Sequence, residues 1–384
     1  MQIFFNCIIM SIKDKIKGGI ILSSYLDTLG FYNGTWEFNY GSKITNLKDS
    51  AVVNMFIIHH FFSLGGFSKI DISNMKASDD TIMMIANGVA VLRGGKESDF
   101  IDEYLKVYDI LKDPIRVSGL GTLNSLELLR TNRSLKKISY NKNLGGNGAA
   151  MRSGIIGLLG YDEKYDNLIK MSILSSRLTH NYTLGFLGGL VVTLFTNFGM
   201  KNISFLEWFD EFFKLENEID NYMKTTNIYS EYISDKEYFF DKMKEYNERR
   251  IKVFKHKNTK QEFSMFEERY KALETYNKYG SQDYDYSKFG ASGLSSVIVA
   301  YDSLMMSHCS NESPLDLNNL DVSMDSLIFY STLHFGDNDT TGCIAGMFYG
   351  SIYGLKSFDS NKIDQLEFSV EIIQLIERIE KKLK

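Results

Sequence analysis

Residues 340–355, TTGCIAGMFYGSIYGL, carry no charge, and Gly342, Gly346, Gly350 and Gly354 fall at every fourth position. A four-residue step keeps side chains on one face of an α-helix. Four missing side chains on that face make a smooth stripe against which a second backbone can come close. An apolar helix with such a stripe belongs at the centre of a helical bundle. The run is shorter than the ~20 residues that cross a bilayer, so it predicts an interior helix and no membrane span.

Helical periodicity dominates elsewhere. Ile82, Ile85, Ala86, Val89 and Leu92 recur at the spacing of one buried helix face, and 151–159 and 184–198 read as interior helices. Residues 364–384 alternate Leu366, Val370, Ile373, Ile376 and Leu383 with charge and end in lysines, the pattern of a C-terminal surface clasp. Nothing reads as a series of strands. The predicted fold is therefore all-α, with one domain over 11–384, a charged helical elaboration at 205–285 and a loop at 255–260. The first ten residues, MQIFFNCIIM, lack the cationic start of a signal peptide and read as an extension, or place the true start at Met10.

Charge and cysteine usage narrow the function. With 43 basic and 48 acidic residues and no Lys/Arg block, the chain presents no field for nucleic acid. Cys7, Cys309 and Cys343 are odd in number and far apart, which argues against a disulfide framework or a zinc site. That usage fits a reducing, cytoplasmic setting. A monomer is the default expectation.

Two acidic corners stand out. Ser78, Asp79 and Asp80 open the apolar stretch 77–92, and Asp337, Asp339 and Thr340 open the glycine-striped helix. Either corner alone is explained as a helix cap, because Ser and Asp accept backbone N–H bonds and offset the helix dipole. A cap needs only one carboxylate, however, and neighbouring carboxylates repel. A hard divalent cation explains the surplus, since magnesium takes oxygen ligands. Aspartates at i and i+2 can face one centre while Asn338 turns away. Six oxygen-bearing side chains suffice for a paired-metal clamp.

Three small-residue loops precede helices: LGGNGAAMRSG (Leu144–Gly154), SRLTHNYTLGFLGG (Ser176–Gly189, with Thr179 and His180) and KFGASGLSS (Lys288–Ser296). Bare amides at a helix start suit phosphate. Each loop is equally well explained by itself as a turn or cap.

In order along the chain, LDTLGFYNGTWEF (Leu26–Phe38), SDDTIM (Ser78–Met83), GGNGAAMR (Gly145–Arg152), SRLTHNYTLGFLG (Ser176–Gly188), GASGLSSVIVAYD (Gly290–Asp302) and HFGDNDTTGCIAG (His334–Gly346) resemble the ADP-ribosylglycohydrolase family, in particular its arginine-hydrolase branch. The resemblance implies an orthogonally packed all-α bundle with two Mg²⁺ ions in a cleft, cleaving ADP-ribose from modified proteins. By motif, Ser78, Asp79, Asp80, Asp337, Asp339 and Thr340 take the metal positions, and Asp79, Asp80 and Glu37 the catalytic ones. Gly119 and Gly121 match a backbone loop lining the substrate. Gly146, Asn147, Gly148 and Met151 match the pyrophosphate loop, with His180 and Gly185 on its opposite wall. Ser292 and Gly293 fall near the adenosine end. Leu26 stands where the family usually has Gly, and Phe335 replaces the first of a usual glycine pair. Leu294 and Ser295 replace a His-Asp pair common in arginine hydrolases. A hydrolase of serine-linked or free ADP-ribose and a non-catalytic ADP-ribose-binding protein are the rival readings. Intact acidic corners favour a hydrolase over the latter.

Overall fold

A computed structural model describes residues 10–39, 50–256, 266–278, 288–308 and 322–383. Among them every regular element is a helix, and the β-type pairing is one isolated bridge between Gly146 and Ser292. Six helices build the centre: α1 (Ile12–Phe31), α2 (Asp79–Arg93), α3 (Ala150–Leu159), α4 (Thr183–Met200), α5 (Ser295–Ser307) and α6 (Asn338–Tyr353).

The most extensive contact joins α1 to α6, and the glycine stripe is its cause. A Cβ at Gly342 would lie 2.8 Å from the Leu26 carbonyl oxygen, at Gly346 2.4 Å from that of Leu22, and at Gly350 2.2 Å from the Gly19 nitrogen. α1 answers with its own small residues: a Cβ at Gly30 would lie 2.4 Å from the Asn338 carbonyl oxygen. The stripe thus brings two backbones into direct contact, as the sequence predicts. Helix α4 is long and apolar enough to cross a bilayer, yet it is wholly buried inside the protein against α3 and α6. It is the innermost layer of the bundle.

Two sequence expectations shift. α2 buries Met83, Met84, Asn87, Gly88 and Ala90 besides Ile82 and Ala86, while Ile85, Val89 and Leu92 are only partly buried, because neighbours enclose it on several sides. The C-terminal helix starts at Ser369, after a 3₁₀ stretch at Ser360–Gln365. It buries Ile372, Leu375, Ile376 and Ile379, leaving Val370 and Ile373 exposed. Phe368 ends one pattern and begins another, and a single period drawn through both misplaces the face.

The charged elaboration is helical at Trp208–Lys214, Glu216–Met223, Tyr229–Tyr246, Lys252–His256 and Phe266–Glu274. Lys255 and His256 of the expected loop lie in a helix, and 257–260, like 1–9, lie outside the described residues. Its anchor is ionic: Asp302 on α5, fully buried, accepts from Arg250 Nη2 at 2.7 Å, Arg269 Nε at 2.6 Å and the Tyr246 hydroxyl at 2.9 Å.

Candidate active site

The first acidic corner is fixed from behind by Asp27, in the middle of α1. Its carboxylate accepts from the Ser78 hydroxyl at 2.7 Å, the Ser78 amide at 3.3 Å and the Thr81 amide at 3.1 Å, and also from the Thr81 hydroxyl. Ser78 is the N-cap of α2, its Oγ accepting from the Asp80 amide at 3.1 Å. Four donors on one carboxylate hold the corner in a single orientation.

The second corner opens α6. Asp337 is the N-cap, its Oδ1 accepting from the Thr340 amide at 3.4 Å, while Asn147 Nδ2 donates to Oδ2 at 2.8 Å. Asn338 turns away, donating to the carbonyls of Thr332 at 2.8 Å and of His334. The Gly336 amide donates to His334 Nδ1 at 3.1 Å, which makes Nε2 the protonated nitrogen and directs it to Thr341 Oγ1 at 2.8 Å. Burial, with Arg269 nearby, holds His334 at about 3, so this neutral ring braces the turn.

A third segment delivers Glu37. The Phe38 amide donates to the Gly336 carbonyl at 2.9 Å, tying this segment to the second corner. Tyr32, Asn33 and Phe38 all adopt positive φ, at 43°, 57° and 45°. Such non-glycine residues cost on the order of 1 kcal/mol or more each and persist only where surroundings impose them. Here Tyr32 stacks on Trp36 at 4.5 Å, and Trp36 Nε1 donates to His60 Nδ1 at 3.2 Å.

The three segments meet at one end of a cleft of about 1160 Å³. Carboxylate oxygens of Asp27, Asp80 and Asp339 all lie within 4.8 Å of one another. Burial pushes up the pKa of every acid there, and neighbouring carboxylates add to it at Glu37, Asp79, Asp80 and Asp339. Asp79 rises to about 7 beside Asp27 and Asp337. Glu37, next to Asp337 and Asp79, rises well above the usual range, as do Asp80 beside Asp27 and Asp79 and Asp339 beside Glu37 and Asp337. Glu37 Oε2, Asp80 Oδ2 and Asp339 Oδ1 are buried without a hydrogen-bond partner. Buried polar atoms are otherwise almost always paired. Three orphaned carboxylate oxygens in one acid cluster fit a divalent cation: it would satisfy the orphans and offset their mutual repulsion.

Of the residues singled out in the sequence, Glu37, Asp79, Asp80, Asp337, Asp339 and Thr340 line the cleft together with Gly119, Gly121, Gly146, Asn147, Gly148, Met151 and His180. A Cβ at Gly148 would lie 2.5 Å from His180 Cε1, so the loop and the histidine form one wall. Arg152 Nη2 donates to Thr179 Oγ1 at 2.7 Å, and that hydroxyl lies 2.8 Å from His180 Nδ1. Burial, with Arg152 nearby, holds His180 at about 3, so the ring is neutral.

Four expected residues lie behind the wall. The Ser78 hydroxyl is engaged with Asp27 and the Asp80 amide, as above. Gly185 backs the pyrophosphate-type loop: a Cβ there would sit 2.4 Å from the Leu144 carbonyl oxygen. Ser292 is fully buried, its Oγ 2.9 Å from that of Ser295, and a Cβ at Gly293 would lie 2.2 Å from the Leu184 carbonyl oxygen. Their loop is tied to the other glycine loop by Asn147 N to Ala291 O at 2.9 Å and Gly293 N to Gly145 O at 3.0 Å. Ala291 and Lys288 reach the cleft instead. Sequence reasoning passes over Asp27, whose signal is a lone carboxylate inside an apolar helix. It also passes over Leu128, Ile138, Ser139 and Asn141 at the cleft, which carry no pattern.

A family model for ADP-ribosylglycohydrolase matches residues 10–384. The chain belongs to the ADP-ribosylglycohydrolase family. It is 30% identical to ADP-ribosylhydrolase ARH1 of Dictyostelium discoideum, over 96% of this chain and 94% of that one. It is 33% identical to L444 of Acanthamoeba polyphaga mimivirus, named as a provisional ADP-ribosyl glycohydrolase, over 92% of this chain and 67% of the viral one. A solved ADP-ribosylglycohydrolase-related protein complex shares the fold, with a TM-score of 0.55 at 14% identity over 96% and 97% of the two chains. The family assigns the chain to the hydrolases that act on ADP-ribosylated substrates, and the buried acid cluster is where such an ADP-ribosylglycohydrolase could bind metal.

Proposed function

We propose that the protein removes ADP-ribose from arginine side chains of modified proteins, cleaving the N-glycosidic bond with two Mg²⁺ ions. The observation that carries this reading is the convergence of Glu37, Asp79, Asp80, Asp337 and Asp339 at one end of the cleft, with three of their oxygens unpartnered. The ions would be held by Asp79, Asp80, Asp337, Asp339, Thr340 and, after a change of hydrogen bonding, Ser78. When bound, they supply electrostatic stabilisation and a lowered pKa for water.

The remaining work falls to the protein. Glycoside hydrolysis passes through an oxocarbenium-like state at the anomeric carbon, and a pair of carboxyl groups divides the proton transfers. Asp80 accepts the proton of the attacking water as the new C–O bond forms. Glu37, which stands beside Asp79 and Asp337 and is not among the residues that would hold the ions, gives its proton to the departing guanidine nitrogen as the C–N bond breaks. The neutral His180 imidazole and the Gly146 and Gly148 amides suit the pyrophosphate oxygens, while the Asn147 amide is engaged by the Ala291 carbonyl.

The FYNGTWEF segment, which is close to the arginine-hydrolase form of the motif, supports the arginine preference. The test compares ADP-ribose release from arginine-linked and serine-linked peptides, with Mg²⁺ and with chelator. Faster release from the arginine linkage, lost in chelator and lost in Asp80→Asn, is expected. Faster release from the serine linkage refutes the preference, and near-normal turnover of Asp80→Asn refutes the assignment of the base.

A further inference from the structure

The irregular segment 70–77 leads into the first acidic corner, and the C-terminal region holds much of it. Lys362 Nζ donates to the Ile70 carbonyl, and the Ile72 amide donates to Gln365 Oε1 at 3.2 Å. Glu367 then gathers the end of the segment. Its Oε1 accepts from Lys76 Nζ at 2.9 Å and Arg116 Nη2 at 3.0 Å, and its Oε2 from the Ala77 amide at 3.0 Å and Arg116 Nη1 at 2.6 Å. Arg116 Nη1 also donates to the Ala77 carbonyl at 2.7 Å. Both peptide groups of Ala77, the residue immediately before Ser78, are therefore held by one bidentate ion pair.

The same pair reaches the other side of the corner. Arg116 ends a short 3₁₀ turn, Pro114–Arg116, from which Val117, at φ 52°, leads into the cleft-lining loop. Three residues after Arg116, the Gly119 backbone lies beside the Asp79 carboxylate. One guanidinium thus holds the backbone that leads to Asp79 and Asp80, from the end of the turn that leads to the Gly119 loop beside them. The pair is well seated: Arg116 is buried, its guanidinium lies 5.5 Å from the centre of the Phe368 ring, and the Glu367 side chain is only 17% exposed.

We infer that Glu367 and Arg116 are positioning residues for the acidic corner, fixing Asp79 and Asp80 for cation binding from outside the cleft. This inference rests on the proposed reading of the cluster as a magnesium site. Glu367 lies nearly 290 positions from Asp80 in sequence, and neither member of the pair touches substrate. A bidentate Arg–carboxylate pair fixes geometry as well as charge, so lysine or glutamine cannot replace its members without loss.

The experiment measures Mg²⁺ binding by titration calorimetry, and melting in chelator, for the full chain and for Glu367→Gln, Arg116→Lys, Arg116→Gln and the double Glu367→Gln/Arg116→Gln variant. Outer-shell supports of a metal site are worth about 10- to 100-fold in affinity, so a loss of about tenfold is expected for each glutamine variant. The double variant should bind no more weakly than either single, because one clamp is broken once. Arg116→Lys, which keeps the charge but not the paired geometry, should also lose several-fold and serves if Glu367→Gln does not fold. Mg²⁺ affinities within twofold of the parent, with or without a lowered melting temperature, overturn the inference, as do losses that multiply in the double variant. A parent protein that binds no Mg²⁺ overturns the reading of the cluster and this inference with it. Parent binding with undiminished variants overturns this inference alone.

Discussion

Asp80→Asn should stabilise the metal-free protein, and the effect should grow with pH. Asp80 is buried against Asp27, Asp79 and Asp337. A carboxyl whose folded pKa lies above its unfolded value contributes stability that is complete below the unfolded pKa and disappears as pH rises through the folded one. Asp79 shows the scale: its value of about 7, against an ordinary 3.8, makes ionisation in the fold cost on the order of 4 kcal/mol. Between pH 5 and pH 8 about 3 kcal/mol of that is felt. Unfolding entropy for 384 residues is about 0.8 kcal/mol/K, so the parent in chelator should melt about 3 °C lower at pH 8 than at pH 5 from this group alone. Asp80→Asn removes a second carboxyl whose pKa the fold raises, and so flattens the slope. Magnesium should reverse the order: at 100 times its Kd it stabilises the parent by about 2.7 kcal/mol, and the variant hardly at all. Scanning calorimetry of both proteins, at both pH values, in chelator and in Mg²⁺, reads each quantity. A variant less stable than the parent in chelator at pH 8, or one stabilised by Mg²⁺ as much as the parent, would refute the reasoning.

Two further predictions concern the frame. Gly346→Ala places a carbon 2.4 Å from the Leu22 carbonyl oxygen, so α1 and α6 must separate by about 1 Å; overpacking of this kind costs about 1–3 kcal/mol. Its melting temperature should fall by a few degrees with weaker Mg²⁺ binding, and an unchanged melt would show that the helices have slack. Asp302→Asn leaves Arg250 and Arg269 buried without their shared counter-charge, at a cost of about 3–5 kcal/mol. A melting point about 4 °C lower is expected, and a change under 1 °C would mean that the ion cluster does not anchor the elaboration.

What the sequence discloses here follows from how local each signal is. The two acidic corners are legible because adjacent carboxylates before apolar helices exceed what capping requires, and the glycine stripe because its repeat matches the helix. Asp27 is not, since its partners Ser78 and Thr81 come from 51 and 54 positions away and nothing beside it is unusual. Asp302 is hidden for the same reason: Arg269 and Arg250 reach it from 33 and 52 positions away. The Ser292–Gly293 motif announces a loop but not its use, which is to pin a second loop by a single β-bridge while Ala291 faces the cleft. The C-terminal helix is misread by its start because Leu366 belongs to the preceding turn, where Glu367 meets Arg116.

The contact between α1 and α6 has a consequence for any cation that the acid cluster could hold. Side chains at an ordinary helix crossing can switch rotamer and let the axes drift; a crossing lined by main-chain atoms has no such freedom. Asp27 rides on one of these helices and Asp339 on the other, so the gauge between them is set by peptide planes. A cation held between these carboxylates would meet a spacing that no repacking of side chains at the crossing can relax.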